Sequence, residues 1–294
     1  MITITQPEII RKGEKTRMQT TIDVDGNPRQ LWFEVENEYA TSLCHERSDG
    51  YVIGLLPWAM RHQHDITCEM PMGEGLYYQI TSCLIPALCK SANKLYSTQI
   101  FASIDTQAIL NNGAIGTGIS CGIDSLHVLA NQSNSPYPSL NLTHLVHHNV
   151  GSHGTDKDSE VLRIERENRA QAFADEMGYK LIKTNSNYAE IFQQTYPYIN
   201  TYANCFAIYM MQKLWSNYFY ASLGCGLNNF NLKNHDKKDS AYYDLLTLDC
   251  LSTKTLRIYS EGAAKTRFEK TKTVVNYLPV RSQRKSAQLF PKSI

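Results

Sequence analysis

The sequence has little net charge, no long apolar run and no regular cysteine pattern. Its 294 residues carry a formal charge of only +1, so it lacks the broad basic surface of sequence-independent nucleic-acid binders. No stretch approaches the roughly 20 apolar residues of a membrane span, and the N-terminus lacks a signal-peptide pattern; we expect a cytoplasmic protein without membrane contact. The eight cysteines form no Cys-x-x-Cys pair, which indicates free thiols rather than a disulfide framework or a zinc site.

The most informative segment covers residues 115–126, which read Ile-Gly-Thr-Gly-Ile-Ser-Cys-Gly-Ile-Asp-Ser-Leu. The pattern predicts a buried strand, a tight turn and a helix. Amides at a helix N-terminus have no intrahelical partner and lie at the positive end of the helix dipole, so such a turn binds anions. Ser120 and Ser125 add hydroxyl donors, and Asp124 can hold a Mg²⁺ that bridges phosphate oxygens. The segment therefore predicts a nucleoside triphosphate with its metal as ligand.

The centre of this segment resembles the pyrophosphate-binding loop of the N-type ATP pyrophosphatases, the PP-loop superfamily, whose usual form is Ser-Gly-Gly-x-Asp-Ser. The resemblance implies an adenine nucleotide alpha hydrolase-like (HUP-type) α/β fold, with ATP and Mg²⁺ as cofactors. It also implies that ATP is cleaved to AMP and pyrophosphate, with Asp124 as metal ligand and catalytic residue. The loop residues that it assigns to the cofactor are Ser120, Cys121, Gly122, Ile123, Asp124 and Ser125.

Cysteine at position 121 departs from the family pattern, which has glycine there. Either the backbone at Cys121 needs no positive φ, or a thiol has been placed beside the nucleotide. A small, tolerated side chain is the simpler interpretation, because cysteine usually behaves as a small buried hydrophobe.

Two other motifs overlap the same residues. Gly118-x-Ser120-x-Gly122 fits the nucleophile elbow of serine hydrolases, with Ser120 as the nucleophile. That mechanism needs an acid followed by a histidine, for which Asp156 or Asp158 with His235 remains open. The glycines also approach the dinucleotide-binding spacing but miss it by one residue, and no acidic residue follows about 20 positions on.

The segment pattern divides the chain near residue 110. We expect a smaller α+β region over residues 1–110, to which the sequence assigns no role. We expect an ATP-binding domain with a basic C-terminal segment over 111–294. In the second region strands alternate with helices, which predicts a parallel sheet with crossover helices and a ligand at the carboxyl ends of the strands. The predicted strands cover residues 115–119, 142–148, 179–184 and 218–223, and the predicted helices cover 123–130, 159–177 and 201–215.

The ends of the second and fourth predicted strands supply the rest of the predicted site. The resemblance assigns Asn149, Val150 and Gly151 to nucleotide contact, and glycines there would let the backbone approach a ligand closely. Family members often carry Gly-His-x-x-x-Asp after the fourth strand. Here only Gly224 of that pattern is kept, and we expect it to shape the nucleotide pocket. Cys225 follows, and proximity to Cys121 would allow sulfur transfer.

Histidines are concentrated around the second strand, at positions 144, 147, 148 and 153. Adjacent strand residues point to opposite faces, so His147 and His148 cannot both join one metal site. Substrate contacts together with hydrogen-bonded core histidines are the favoured interpretation, and metal binding is the alternative.

The C-terminal stretch supplies positive charge: residues 265–294 hold eight Lys or Arg against one acid, Glu269. Within it, Arg267 and Lys270 resemble an Arg-x-x-Lys element that some family members fold over the phosphates. Their i, i+3 spacing would aim both side chains at one target, where they would stabilise the leaving pyrophosphate as catalytic residues. The later cluster, residues 281–285, could contact RNA.

These observations predict an enzyme that adenylates a carbonyl, carboxylate or amide oxygen of a small-molecule or peptide acceptor, for amide formation or for sulfur or nitrogen transfer. The alternatives are a tRNA-modifying PP-loop enzyme, a nucleotide-binding regulator without turnover, and the serine hydrolase. The acceptor and the nitrogen or sulfur donor are not identified, and a homodimer is left open.

Overall fold

The structure, a computed structural model, describes residues 1–91, 94–133, 135–154, 158–192, 196–223, 227, 230 and 239–277. In this part the chain is an α/β protein built on a large, mostly parallel sheet, and the arrangement is compatible with a Rossmann-like fold. The strands are β1 (Ile2–Ile4), β2 (Glu8–Lys12), β3 (Lys15–Val24), β4 (Asn27–Glu36), β5 (Ile66–Cys68), β6 (Met72–Gly73), β7 (Ile100–Phe101), β8 (Ile104–Asp105), β9 (Ala114–Gly118), β10 (His144–Asn149), β11 (Lys180–Ser186), β12 (Trp215–Ala221) and β13 (Arg257–Glu261).

The α-helices are α1 (Asp49–His62), α2 (Glu74–Tyr78), α3 (Ile85–Ser91), α4 (Ile123–Ser133), α5 (Ser159–Met177), α6 (Tyr188–Phe192), α7 (Tyr196–Met210), α8 (Asp244–Cys250) and α9 (Arg267–Tyr277). A π-helical stretch, Gln79–Leu84, joins α2 to α3. None of the helices in the described part is both long and apolar enough to span a bilayer.

The half of the sheet that follows residue 113 is parallel throughout, in the order β13-β12-β9-β10-β11. The chain moves from β9 to β10 and β11 on one side, and then crosses to β12 and β13 on the other. Strand order therefore reverses between β9 and β12, and ligands bind at such a reversal. The predicted parallel sheet with crossover helices is confirmed.

All seven predicted elements of this half are present, and their bounds differ from the predicted ones by up to five residues. Helix α5 has the predicted bounds and ends at Gly178, whose φ of +74° closes it. The predicted helix 201–215 ends at Met210 instead, and Trp215 opens β12. Only a short turn separates the helix from β12. In it the Leu214 amide donates to the Met211 carbonyl, and the apolar residues on both sides do not by themselves reveal such a turn.

The N-terminal half continues the same sheet, in the order β4-β3-β1-β5-β7, because β4 pairs antiparallel with β11. The two predicted regions also share a core, since α1 packs against α7. Gly50 permits this approach: a Cβ there would lie 3.1 Å from the Tyr209 Cβ and 3.3 Å from the Met210 amide nitrogen. The change at residue 110 is thus one of topology within a continuous sheet.

Candidate functional site

The loop between β9 and α4 is organised by its own hydroxyl groups. The Gly122 amide donates to the Ser120 Oγ over 3.3 Å, and the Ser120 amide lies 3.4 Å from the Ser125 Oγ. The Ser125 hydroxyl in turn donates to the Gly122 carbonyl, 3.0 Å away. The two serines therefore fix the conformation of the loop. The loop leads into the first turn of α4 and lies at the positive end of that helix dipole.

Cys121 adopts a φ of +58°, in the left-handed region that favours glycine. The first sequence interpretation, that no positive φ is needed there, is therefore wrong. The side chain is buried in an apolar cluster with Ile119, Ile123 and Leu126, and this burial raises the thiol pKa to about 11. The thiol is thus protonated at neutral pH, and Cys121 is not among the residues that line the cavity beside it.

That cavity, of about 410 Å³, opens at the carboxyl ends of β9, β10 and β12, where the strand order reverses. Its wall combines the loop with one face of the sheet and with α7 and α9. The residues that line it are Gly118, Ile119, Ser120, Gly122, Ile123, Asp124, Ser125, Val146, His147, His148, Ser152, Asn200, Asn204, Tyr218, Tyr220, Ala221, Leu223 and Arg267. Five of the six predicted loop residues therefore face one cavity.

Asp124 lies in the first turn of α4 and is paired with a buried lysine. Its Oδ1 is 2.9 Å from the Nζ of Lys270, whose side chain is completely buried in α9. The Lys270 ammonium also donates to the Ser222 carbonyl, just after β12. Asp124 reaches the cavity, whereas Lys270 lies behind it and ties together α4, α9 and the end of β12.

Arg267 and Lys270 are placed differently, although both belong to α9. A capping box starts this helix: the Thr266 amide donates to the Glu269 carboxylate over 2.7 Å, and the Glu269 amide returns to the Thr266 Oγ1. Arg267 is exposed and lines the cavity, and among the described residues no acid pairs with its guanidinium. The structure therefore brings Arg267, but not Lys270, to the cavity surface.

The residues predicted to cradle adenosine lie just outside the cavity lining. The Asn149 side-chain amide donates to the Asn185 Oδ1 over 2.7 Å, and Val150 is fully buried in the core. Gly151 has a φ of +115° and turns the chain after β10. Gly224, like Cys225, lies outside the described residues, so its predicted role stays a prediction.

Sequence reasoning missed the wall opposite the loop, which is uncharged. The His148 Nε2 lies 3.2 Å from the Tyr218 hydroxyl, and its Nδ1 lies 2.8 Å from the Thr184 Oγ1. Burial lowers the pKa of His148 to about 3, so the ring is neutral. Next to it, Tyr220 donates to the Asn200 Oδ1 over 2.7 Å. The alternation of residues along β12 could have indicated that Tyr218 and Tyr220 face the same side of the sheet. It could not have indicated that Tyr218 contacts His148 of β10.

The serine-hydrolase geometry is not formed among the described residues. The Ser120 hydroxyl contacts the Ser125 hydroxyl, 3.3 Å away, and accepts from the Gly122 amide, while none of the described histidines contacts it. Asp156 and His235, named for that mechanism, lie outside the described residues. So does the basic cluster 281–285 that was considered for RNA.

The described part contains no group of three or more His, Cys, Asp or Glu side chains arranged to hold a metal. Asp124 is the one carboxylate among the described residues that line the cavity, where it adjoins the hydroxyls of Ser120 and Ser125. One carboxylate fits Mg²⁺, which commonly keeps several waters and takes further oxygens from substrate phosphates.

Comparison of the chain with models of known protein families, with curated proteins and with solved structures gives no match.

Proposed function

We propose that this chain is an ATP-dependent enzyme of the PP-loop type with a HUP-type fold. In this proposal it cleaves ATP to AMP and pyrophosphate and adenylates an oxygen of a small-molecule or peptide acceptor, so that a nitrogen or sulfur nucleophile can displace AMP. One observation carries the proposal: the Ser-x-Gly-x-Asp-Ser loop opens a helix on the rim of a cavity at the strand-order reversal. Glycine-rich turns at helix N-termini bind phosphates, and this cavity has the location expected for a nucleotide.

The loop would bind the β- and γ-phosphates. The hydroxyls of Ser120 and Ser125 now hold loop amides over long, weak hydrogen bonds of 3.3 to 3.4 Å. A phosphate oxygen is a stronger acceptor than a hydroxyl, so it can take over such amides. Arg267, which lines the same cavity, would neutralise the charge that develops on the leaving pyrophosphate.

Asp124 would hold Mg²⁺, which supplies charge neutralisation between the phosphates when bound. Lys270 would act as a positioning residue, since it lies behind Asp124 and fixes the direction of the carboxylate. This changes the role expected from the Arg-x-x-Lys resemblance, in which both cations contact phosphate.

ATP carrying a label on its α-phosphate tests the proposal. The protein is incubated with the nucleotide, Mg²⁺ and a fraction of small metabolites and peptides, and products are separated. Labelled AMP is expected. Labelled ADP would refute cleavage between the α- and β-phosphates, and tight binding of intact ATP would favour the regulator. Wild-type protein that binds no ATP in the presence of Mg²⁺ would overturn both.

The Asp124→Asn variant makes the test specific to the loop. Loss of the carboxylate should remove Mg²⁺-dependent turnover, while the carboxamide oxygen that replaces it could still accept a hydrogen bond from Lys270. Thermal unfolding is measured on the same sample, because Asp124 also has a structural partner. Full activity in a folded variant would contradict the assignment.

A further inference from the structure

Two neighbouring histidines, one of which lines the cavity, each carry a buried ring nitrogen that has no partner among the described residues. These are the Nε2 atoms of His147, at the end of β10, and His153, in the turn that follows. Their side chains are 5% and 6% exposed, and their ring centroids are 5.3 Å apart. Buried polar atoms without partners are rare and are costly unless something binds them.

The hydrogen bonds of the opposite ring nitrogens fix the state of both rings. The His147 Nδ1 lies 3.1 Å from the Ile119 carbonyl, which can only accept. The Nδ1 must therefore carry the proton, and in the neutral ring the Nε2 is left with a lone pair.

The side-chain amides of Asn185 and Asn149 fix the protonated nitrogen of the His153 ring in the same way. The Asn185 Nδ2 faces the Glu34 carboxylate at 3.4 Å, and the Asn185 Oδ1 accepts from the Asn149 amide. The Asn149 Oδ1 is thereby turned towards the His153 Nδ1, 3.0 Å away, and can only accept from it. In the neutral ring the His153 Nε2 is thus also left with a lone pair and has no partner among the described residues.

We propose that His147 and His153 bind one divalent transition-metal ion, of which Zn²⁺ is the representative, through their two Nε2 atoms. Metal-binding histidines characteristically donate their other N–H to a carbonyl or carboxamide oxygen, and both rings do so here. Two imidazoles on one tetrahedral Zn²⁺, with Zn–N bonds of about 2.0–2.1 Å, have ring centres about 5 Å apart. The observed centroid separation of 5.3 Å fits that arrangement.

The charged residues of the neighbouring helix α5 carry no net positive charge that would repel a cation from the two histidines. Arg163 is paired with Glu160 and with Glu167, so that this trio carries one net negative charge. Arg166 is the fourth charged residue of α5 that acts on the two histidines, and it brings the net charge of these four residues to zero. Its guanidinium donates to the Ser152 carbonyl. The two histidines are the protein ligands, and water or a ligand group that enters the cavity beside His147 would complete the coordination.

Co²⁺ added to the metal-free, full-length protein tests the site, without ATP or Mg²⁺. The wild type is expected to take up about one equivalent with visible absorption bands, and Zn²⁺ should displace it. His147→Gln and His153→Gln should each weaken binding by at least about 10-fold, since altering even an outer partner of a ligand typically costs 10–100-fold. His144→Gln is the matched control, because it lies on the same strand outside the pair and should bind as the wild type does.

A measurement on the wild type alone covers the case in which a variant fails to fold. Nitrogen NMR of the nine histidine side chains should show the Nε2 signals of two neutral rings shift on addition of Zn²⁺. The proposal is overturned if no buried ring responds. It is also overturned if the folded double variant binds Co²⁺ as tightly as the wild type.

Discussion

The ammonium group of Lys270 lies 2.9 Å from the carboxylate of Asp124, and no part of the Lys270 side chain is exposed to solvent. The pair joins the first turn of α4 to α9, and the Lys270 bond to Ser222 adds the end of β12. Removing one partner of a buried pair leaves an uncompensated charge, whereas replacing both with apolar groups can be close to neutral. The geometry of the cavity rim therefore depends on this ion pair, in which Asp124 reaches the cavity and Lys270 lies behind it.

Lys270→Met should lower the free energy of unfolding by about 1–3 kcal/mol, because it removes the hydrogen-bond partner of the partly buried Asp124 carboxylate. Urea unfolding measures the loss. Lys272→Met, on the exposed side of the same helix, is the control and should change stability by less than about 0.5 kcal/mol. The double variant Lys270→Met with Asp124→Leu should recover much of the loss. A double variant as unstable as the sum of its single variants would show that the two residues do not act as a pair.

Arg267→Gln should lower kcat for AMP formation by about 10²–10³-fold, if this side chain stabilises the leaving pyrophosphate. Its exposure predicts an unchanged unfolding midpoint. Arg257→Gln, which removes another exposed guanidinium from β13, serves as the control and should retain activity. Equal activity of the two variants would remove Arg267 from the proposed mechanism.

Cys121→Gly should be more stable than Cys121→Ala by about 1–2 kcal/mol, because only glycine adopts a positive φ without steric cost. Both variants lose the buried sulfur, so the comparison isolates the backbone. Thermal or urea unfolding gives the difference. Ala172, exposed within α5, provides the opposite case: Ala172→Gly should destabilise by about 1 kcal/mol. The same sign at both positions would contradict the left-handed conformation of Cys121.

The buried ring of His148 should make the protein less stable in acid. Burial lowers its pKa from 6.5 to about 3, so the folded state favours the neutral ring. The resulting stabilisation is present above the unfolded pKa and is lost as pH falls from about 6.5 towards 3. Urea unfolding at a series of pH values should show a shallower acid slope for His148→Gln than for the wild type. His45→Gln, with a half-exposed ring, should leave the slope unchanged.

Local sequence signals predicted much of the α/β half. Helix α5 was predicted to the residue because a good helix-forming run meets Gly178, and the loop was predicted because its glycines and serines are contiguous. What could not be predicted depends on residues far apart in the chain. The burial of Lys270 against Asp124 joins positions 146 residues apart, and the orientation of His153 depends on Glu34 through two asparagines. The i, i+3 spacing predicted that Arg267 and Lys270 point at one target. In the structure Lys270 is instead buried against Asp124, and only Arg267 lines the cavity.

Because β4 pairs with β11, residues 1–110 cover a strand that would otherwise be the outermost one of the α/β half. An unpaired outer strand presents a row of open amides and carbonyls to which other chains can add, and natural sheets protect such strands. Here β11 would be that strand, and β4 covers its carboxyl end through the Asn185–Glu34 and Ser186–Phe33 pairs. The N-terminal region therefore covers part of an edge to which another chain could otherwise add a strand.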